Sequence, residues 1–350
     1  MFFFKKKILG TGALVDTRDS AAKQKDYYFN ELVATSAPVN WTEKQKSEWR
    51  KFPIYSQNGS GSCVAQTMAK LLGVIYWLSN NVYVHFSATD IYQQRSNKPT
   101  AGMSGVEAFD IAKKGVTLEE LVPSQNMTDA QMDLADIPQY KKEVGKIFQV
   151  PNYVLLRTGD IDTIASIIQT TGKAVMTWFY FTHDEWTNEP SVKNSKLSLT
   201  GTGVSRHSVT AVDFTLYKGK KALIIEDSWG TSYGLAGQRI ITEDFFKARN
   251  WFAGYPITFK FLEESTDKPK YTFLTNLEFG MTTNAVIELQ NILKYEGLFP
   301  ANIDSTGYYG AITRTAVEKF QDKYDVAHLG NAGYGFVGPK TRAQLNKLYS

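Results

Sequence analysis

The chain has 350 residues, which exceeds a typical single core and favours two domains. Hydrophobic residues make up 43% of it and aromatic residues 13%, so a disordered or fibrous protein is excluded. A net charge of +4 from 39 basic and 35 acidic residues is too small and too mixed to indicate a nucleic-acid-binding surface, and one cysteine cannot form an intramolecular disulfide.

The N-terminal extension, residues 1–37, has no firm periodicity, and we expect it either to pack on the body of the protein or to be removed. Lysines at positions 5–7 precede only a short apolar stretch, which Gly10 and Gly12 interrupt, so no clear signal peptide is predicted. No segment reaches the ~20 apolar residues that a membrane span requires. The sequence therefore predicts no membrane span.

The main body, residues 38–262, changes from helical patterns in its first half to strand patterns in its second, as expected of an α+β fold. A buried amphipathic helix is predicted from Cys63, with Ser62 as its cap. Gly59 and Gly61 favour a tight loop that enters this helix. Apolar residues with helical spacing support the prediction: Val64, Met68, Leu71, Leu72, Ile75 and Leu78.

The second half of the body favours an antiparallel sheet. Strands are predicted at 174–181, 208–214, 222–226, 238–242 and 256–261, separated by turn residues. A polar run at 263–270 contains Pro269 and indicates a linker to a last domain, residues 271–350.

A nucleophile and a base can be assigned from these elements. At a helix N-terminus the macrodipole stabilises a thiolate, which is the nucleophilic form of Cys63. His207 opens one predicted strand and Asp227 follows the next, so neighbouring strands would bring the carboxylate beside the imidazole. The other histidines have no such partner: His85, His183 and His328.

Three separated segments, QNGSGSCVAQ, RHSVTAV and DSWGTSYGLAGQRII, resemble the active-site segments of papain-like cysteine peptidases, in the same order. The resemblance covers residues 38–262 and implies a helical half, an antiparallel β half, and hydrolysis of protein or peptide substrates without a metal or cofactor. It implies that Gln57 and the Cys63 backbone N–H stabilise the oxyanion. It also implies that Trp229 shields the pair formed by His207 and Asp227.

The stretch TAGMSGVEAF resembles the family's glycine-bearing segment, which implies that Gly102 and Gly105 contact the substrate backbone. Asp227 stands where the family usually has asparagine. It can still accept from the imidazole, but its charge should raise the histidine pKa, and we expect an Asn variant to be tolerated. Ser60 replaces a cysteine of the family, so the usual nearby disulfide is absent. The family's long inhibitory pro-region is also missing, and residues 1–37 are too short to replace it fully.

The last domain has the pattern of a small all-α, three-helix domain. Two helices are predicted from periodic residues and a third begins at Pro339; the periodic residues are Val286, Leu289, Leu293, Ile312, Ala316, Phe320 and Tyr324. The domain resembles the peptidoglycan-binding modules of bacterial and phage cell-wall enzymes. Tyr308 and Tyr309 either stack on sugar or pack the turn between helices. Seven basic and seven acidic residues balance here, so wall binding should not depend on bulk charge.

The sequence as a whole predicts a thiol endopeptidase carried to, or held at, a bacterial cell wall, with peptidoglycan as a partner and a bacterial or phage origin left open. One alternative is a peptidoglycan stem-peptide hydrolase or amidase of the NlpC/P60 kind. A second alternative is a non-catalytic protein attached to the wall with a retired active site.

Overall fold

The computed structural model describes residues 10–23, 38–156, 159–257, 259–261, 268–299, 305 and 307–350. The chain divides into two compact units. The first contains residues 1–137 and 148–260, and the second contains 138–147 and 261–350. This division differs from the predicted one at 138–147, which the sequence analysis placed in the main body.

The described part of the first unit contains seven helices, of which the longest begins at Cys63. They are α1 (Ser20–Lys23), α2 (Cys63–Asn80), α3 (Ala88–Gln93), α4 (Gly105–Ala112), α5 (Asp129–Asp133), α7 (Ile161–Thr171) and α8 (Glu243–Arg249), with a 3₁₀ turn at Lys46–Glu48. Helix α2 is buried all round from Cys63 to Tyr76, and only its C-terminal end reaches the surface, where Leu78 is 38% exposed. The buried helix predicted from Cys63 is therefore confirmed, although its buried surface extends all round and not only along the predicted apolar stripe.

The strands are β1 (Phe148–Gln149), β2 (Tyr153–Leu156), β3 (Val175–Phe181), β4 (Ser205–Tyr217), β5 (Lys220–Glu226), β6 (Gln238–Thr242), β7 (Asn250–Pro256) and β8 (Lys260–Phe261). Six of them form an antiparallel sheet in the order β2-β7-β3-β4-β5-β6. The mixed helical and antiparallel fold predicted from the sequence is confirmed.

One strand prediction is wrong. A single strand was expected at 256–261, whereas β7 runs from Asn250 to Pro256. Gly254 lies inside β7, and a side chain there would come within 3.1 Å of the Phe109 ring and of the Val154 carbonyl. Tight packing at this position thus favours a glycine, and a glycine in the sequence is also typical of a turn.

The register of the sheet positions the candidate residues. His207 pairs with Phe179 of β3, and Thr210 pairs with Glu226 at the end of β5. Because β4 and β5 are antiparallel, the chain beyond Glu226 runs back past His207. Asp227 and Trp229 are therefore delivered to the imidazole by the loop that follows β5.

The second unit is helical: α6 (Gln139–Gly145), α9 (Asn284–Tyr295), α10 (Ala311–Lys323) and α11 (Pro339–Tyr349). The three helices predicted for the C-terminal domain are confirmed, and Pro339 opens the last of them. Their apolar faces form one core that includes Val286, Leu289, Leu293, Ala316, Phe320 and Leu345. Ile312 does not join it and is 46% exposed.

Candidate active site

Cys63 is the first residue of α2. Its side chain is free of any disulfide and is fully buried. The loop before it is fixed by Gln57, whose N–H donates to the Ser228 carbonyl at 2.8 Å. Ser62 is the N-cap residue, as predicted, but its side chain makes no capping bond and instead shares a hydrogen bond with the Ser60 hydroxyl at 2.8 Å.

His207 is fully buried on β4, and Asp227 holds one edge of its ring through a ring nitrogen. The imidazole Nε2 lies 2.7 Å from Asp227 Oδ1. Among the described residues, the other ring nitrogen, Nδ1, is buried without a hydrogen-bond partner, and it is thus the nitrogen left to act on a thiol. Burial alone would lower the pKa of His207, but the Asp227 carboxylate, with a smaller contribution from Cys63, raises it to about 9.

Asp227 accepts four hydrogen bonds. Its Oδ1 accepts from His207 and from the Ser228 N–H at 2.8 Å, while Oδ2 accepts from Trp186 Nε1 at 3.1 Å and from Arg239 Nε at 2.9 Å. Burial would raise the pKa of this carboxyl, but the His207 and Arg239 charges hold it far below its usual range. Asp227 is therefore ionised and fixed in orientation.

Sequence reasoning missed Trp186 and Arg239. The signal for Arg239 was a charged residue next to the two isoleucines of QRIIT, where it pairs with Ile225 of β5. A buried arginine usually has a buried acidic partner. Trp186 lies in a loop without regular periodicity, and nothing in the sequence pattern marked it.

Trp229 stacks on the His207 ring. Its indole lies 4.7 Å from the His207 ring centroid, nearly parallel to it, and only 7% of Trp229 is exposed. The Trp186 ring is nearly perpendicular to the imidazole, with 6.1 Å between the two ring centroids. The two indoles limit the contact of water with the pair formed by His207 and Asp227. A cavity of about 690 Å³ opens beside them and is also lined by His183, Tyr233 and Arg239.

Helix α2 is tied to the sheet at two buried points. The Ser208 hydroxyl donates to Thr67 Oγ1 at 3.0 Å, and Thr67 donates to the Cys63 carbonyl at 2.9 Å. Lys70 forms a buried ion pair with Glu226 at 2.7 Å. These bonds anchor the residue after His207 and the residue before Asp227 to the helix that carries the nucleophile.

A segment of the N-terminal extension covers the site. We define the strap as residues 10–14. The Gly10 carbonyl accepts from Gln57 Nε2 at 3.1 Å and from Trp229 Nε1 at 3.0 Å. Further along, Met103 donates to the Gly12 carbonyl at 2.9 Å and accepts from the Leu14 N–H at 3.0 Å, which is a parallel β-bridge. The strap therefore accepts a hydrogen bond from Gln57 Nε2, the group that is expected to bind the oxyanion.

Glycines allow the strap to lie this close. A Cβ added at Gly10 would lie 1.9 Å from the Ser60 carbonyl, and one added at Gly12 would lie 1.9 Å from the Gly61 carbonyl. Opposite them, Gly102 has φ +91°, and a Cβ there would lie 2.6 Å from the Gly12 carbonyl. Only glycine avoids a clash at these three positions.

Gly105 does not line this cleft. It is the first residue of α4, and a Cβ there would lie 2.7 Å from the Trp178 and Phe252 rings. Gly102 and Met103 contact the strap, while Gly105 permits packing of α4 on the sheet. The implied substrate contact of Gly105 therefore has no support in the geometry.

A hydrogen-bonded link joins the cysteine loop to the Gly102 stretch. Tyr92 donates to Asp129 at 2.6 Å and accepts from the Gly102 N–H at 2.8 Å. The same Asp129 oxygen accepts from the Gly61 N–H at 2.9 Å. The cysteine loop and the Gly102 stretch are thus held together without a covalent bond.

The two tyrosines proposed for the wall-binding module differ. Tyr309 is fully buried, and its hydroxyl donates to the Gly335 carbonyl at 3.1 Å, so it packs the turn and cannot stack on sugar. Tyr308 is half-buried. Of the two alternatives stated above, packing holds for Tyr309.

Two negative findings concern the described residues. No helix among them is long and apolar enough to cross a bilayer. In the same part of the chain, His, Cys, Asp and Glu side chains do not gather into a group that could hold a metal ion.

Two family models match the sequence. Residues 36–246 match the model of the papain family cysteine protease, and residues 282–345 match that of the putative peptidoglycan binding domain. Among curated proteins, none matches the chain significantly.

Solved structures share the fold at low sequence identity. Xylellain, a cysteine protease from Xylella fastidiosa, is 16% identical with a TM-score of 0.52, and the match covers 75% of this chain and 100% of that one. Digestive procathepsin L2 from the larval midgut of Tenebrio molitor is 16% identical with a TM-score of 0.55, covering 74% and 81%. Since the papain-family model spans more than half of the sequence, the chain belongs to the papain family of cysteine proteases and carries a C-terminal peptidoglycan-binding domain.

Proposed function

We propose that Cys63 is the nucleophile of this protease, His207 its general base and acid, Asp227 the residue that orients the base, and Gln57 a donor to the oxyanion. The observation that carries the proposal is the buried imidazole. Its Nε2 is fixed by Asp227 at 2.7 Å, while Nδ1 has no partner among the described residues. A ring held in this way presents one defined nitrogen to the thiol at the start of α2.

The reaction follows from these positions. Nδ1 of His207 takes the thiol proton, and the Cys63 thiolate forms a bond to the scissile carbonyl carbon. The carbonyl π electrons move to oxygen, and the resulting oxyanion accepts a hydrogen bond from Gln57 Nε2. Collapse breaks the C–N bond, and the imidazolium gives its proton to the leaving amine. Water, deprotonated by Nδ1, then hydrolyses the thioester and regenerates Cys63.

The strap must leave before a substrate can bind. Cys63 and His207 are fully buried, and both protons of the Gln57 amide are used, one by Gly10 and one by the Ser60 carbonyl at 2.6 Å. An incoming carbonyl has to replace Gly10 as the acceptor. We therefore propose that the strapped conformation is closed to substrate and that Gly102 and Met103 contact the substrate backbone when the strap is displaced.

We propose two functional parts, a peptidase body at 38–262 and a wall-binding module at 271–350, joined by the polar residues 263–270. The match of residues 282–345 to a peptidoglycan-binding domain supports delivery of the peptidase to the bacterial cell wall. The same match supports a second substrate class, the stem peptides of peptidoglycan, because the module would hold the active site next to them.

Incubation of full-length protein with casein and with purified sacculi separates the two substrate classes. We expect casein to be cleaved, and we expect cleavage to stop when the single thiol is alkylated. Release of stem peptides from sacculi without cleavage of casein would assign the second class instead. A protein that cleaves neither substrate, even with the strap displaced, would be a non-catalytic wall protein.

A further inference from the structure

Arg239 is a buried cation directly behind the proposed catalytic carboxylate. Its side chain is 4% exposed, and its Nε donates to Asp227 Oδ2 at 2.9 Å. A second nitrogen, Nη1, donates to the Thr187 carbonyl at 2.8 Å. The guanidinium carbon lies 5.3 Å from the Trp186 ring centroid and 5.4 Å from that of Trp229. The arginine is thus held by β6, by the 187 loop and by two indoles.

We infer that Arg239 is a positioning residue of the protease: it offsets the Asp227 charge and fixes Oδ1 toward His207. This inference rests on the proposed role of the pair formed by His207 and Asp227. A carboxylate that is 1% exposed needs compensation for its lost hydration. His207 compensates it only while protonated, and the ring has to lose that proton during turnover. Arg239 keeps the carboxylate ionised through both protonation states.

The two carboxylate oxygens of Asp227 have different partners. Oδ1 orients the imidazole, and it accepts hydrogen bonds from His207 and from the Ser228 N–H. Oδ2 faces the anchoring donors of Arg239 and Trp186. An Asn at 227 would keep Oδ1 but would direct its NH₂ at two N–H donors, which leaves those donors unpaired. The expectation that Asn is tolerated therefore holds only when Arg239 is changed as well.

Three charged or titratable groups act on the His207 ring from the elements around it. The Cys63 thiol faces it from α2, Asp227 from the end of β5, and Arg239 acts through Asp227 from β6. The buried pair of Lys70 and Glu226 lies one residue back along β5 and is unchanged in all variants below. Removal of the Arg239 cation alone should favour the imidazolium, and removal of the Asp227 anion alone should disfavour it.

The test is an NMR titration of the His207 ring in full-length protein, with the resonance assigned by its loss in His207→Gln. The variants are Arg239→Met, Asp227→Asn and the double variant. We expect the His207 pKa to be highest in Arg239→Met, followed by the wild type, the double variant and Asp227→Asn. The titration needs no turnover, so this order stands or falls independently of the proposed protease chemistry.

Activity measured on the same proteins tests the positioning role. We expect Arg239→Met and Asp227→Asn each to lower kcat at least 10-fold with little change in KM, and the double variant to recover part of the loss. Arg249→Met is the matched control, because Arg249 forms a second buried ion pair, with Glu185 at 2.7 Å, and makes no bond to Asp227. If Arg239→Met reduces only the free energy of unfolding, as Arg249→Met should, and leaves the His207 pKa in place, the inference is overturned.

Discussion

At the scale of single residues, the proposed chemistry depends on one imidazole held between a carboxylate and a thiol. Cys63, His207 and Asp227 could be named from the sequence because each adjoins a recognisable element: a helix start, a strand start and a strand end. Arg239 and Trp186 could not be named from the sequence, since what connects them to the site is a hydrogen bond from each to Asp227. Side chains of this kind follow from tertiary packing and not from local pattern.

Replacement of the nucleophile or the base should abolish hydrolysis. We expect Cys63→Ala and His207→Ala to lose several orders of magnitude in kcat, because the members of such a unit act together. His183→Ala is the matched control: this residue lines the cavity beside Trp229 but makes no contact with Asp227 in the structure, and its activity should stay near that of the wild type. If activity survives in His207→Ala and is lost in His183→Ala, the base is His183 and not His207.

The His207 pKa gives a pH dependence with a defined sign. The ring titrates near 6.5 in an unfolded chain, and its environment raises the value to about 9 in the fold. The charged pair with Asp227 therefore contributes stability in full below about 6.5 and loses that contribution as the pH rises through about 9.

Urea unfolding of the wild type and of His207→Gln across this range measures the effect. We expect the difference in free energy of unfolding between the two proteins to shrink as the pH rises toward about 9. A difference that stays constant over the range would show that the ring carries no extra charge in the fold.

At the scale of elements, the strap is the feature that could not be predicted from the sequence. Gly10 and Gly12 interrupt a short apolar stretch and looked only like breaks in it. Their function is steric, because each allows backbone to lie against the 59–61 loop. Gly254 likewise lies in a tightly packed position inside β7, and the sequence pattern did not predict that strand there. Strands β3 to β6 were predicted because their apolar runs contain no glycine of this kind. A glycine needed for close packing cannot be told from a turn glycine by pattern alone.

An added methyl group should therefore displace the strap. In Gly12→Ala the new Cβ would lie 1.9 Å from the Gly61 carbonyl, so the strap has to move away. We expect at least a several-fold rise in peptide hydrolysis and faster alkylation of Cys63, read by intact mass because the chain has one thiol. Thr11→Ala is the control, since it removes atoms and adds none. Equal rates in Gly12→Ala, Thr11→Ala and the wild type would show that the strap does not limit access.

At the scale of the whole molecule, a peptidase body and a helical module are joined in one chain. The three helices of the module could be predicted because their apolar periodicity survives in the structure as one core. The assignment of residues 138–147 to the same unit could not be predicted, because nothing in their local sequence distinguishes them from the helices of the first unit.

The module should deliver the chain to peptidoglycan by shape and hydrogen bonding. We expect full-length Cys63→Ala to sediment with purified sacculi at low and at high salt, because the seven basic and seven acidic residues after 270 balance. Tyr308→Ala should weaken binding, and Tyr308→Phe should keep it if the ring stacks on sugar. A chain that ends at residue 262 and still sediments would place the attachment in the peptidase body.

We propose above that the Cys63 thiolate hydrolyses peptide bonds once the strap is displaced. Casein hydrolysis by full-length Gly12→Ala, and by the same protein with Cys63→Ala added, tests this proposal. We expect hydrolysis by the first protein, none by the second, and complete loss in the first after alkylation of its only thiol. Hydrolysis that continues in the protein without Cys63 would contradict it.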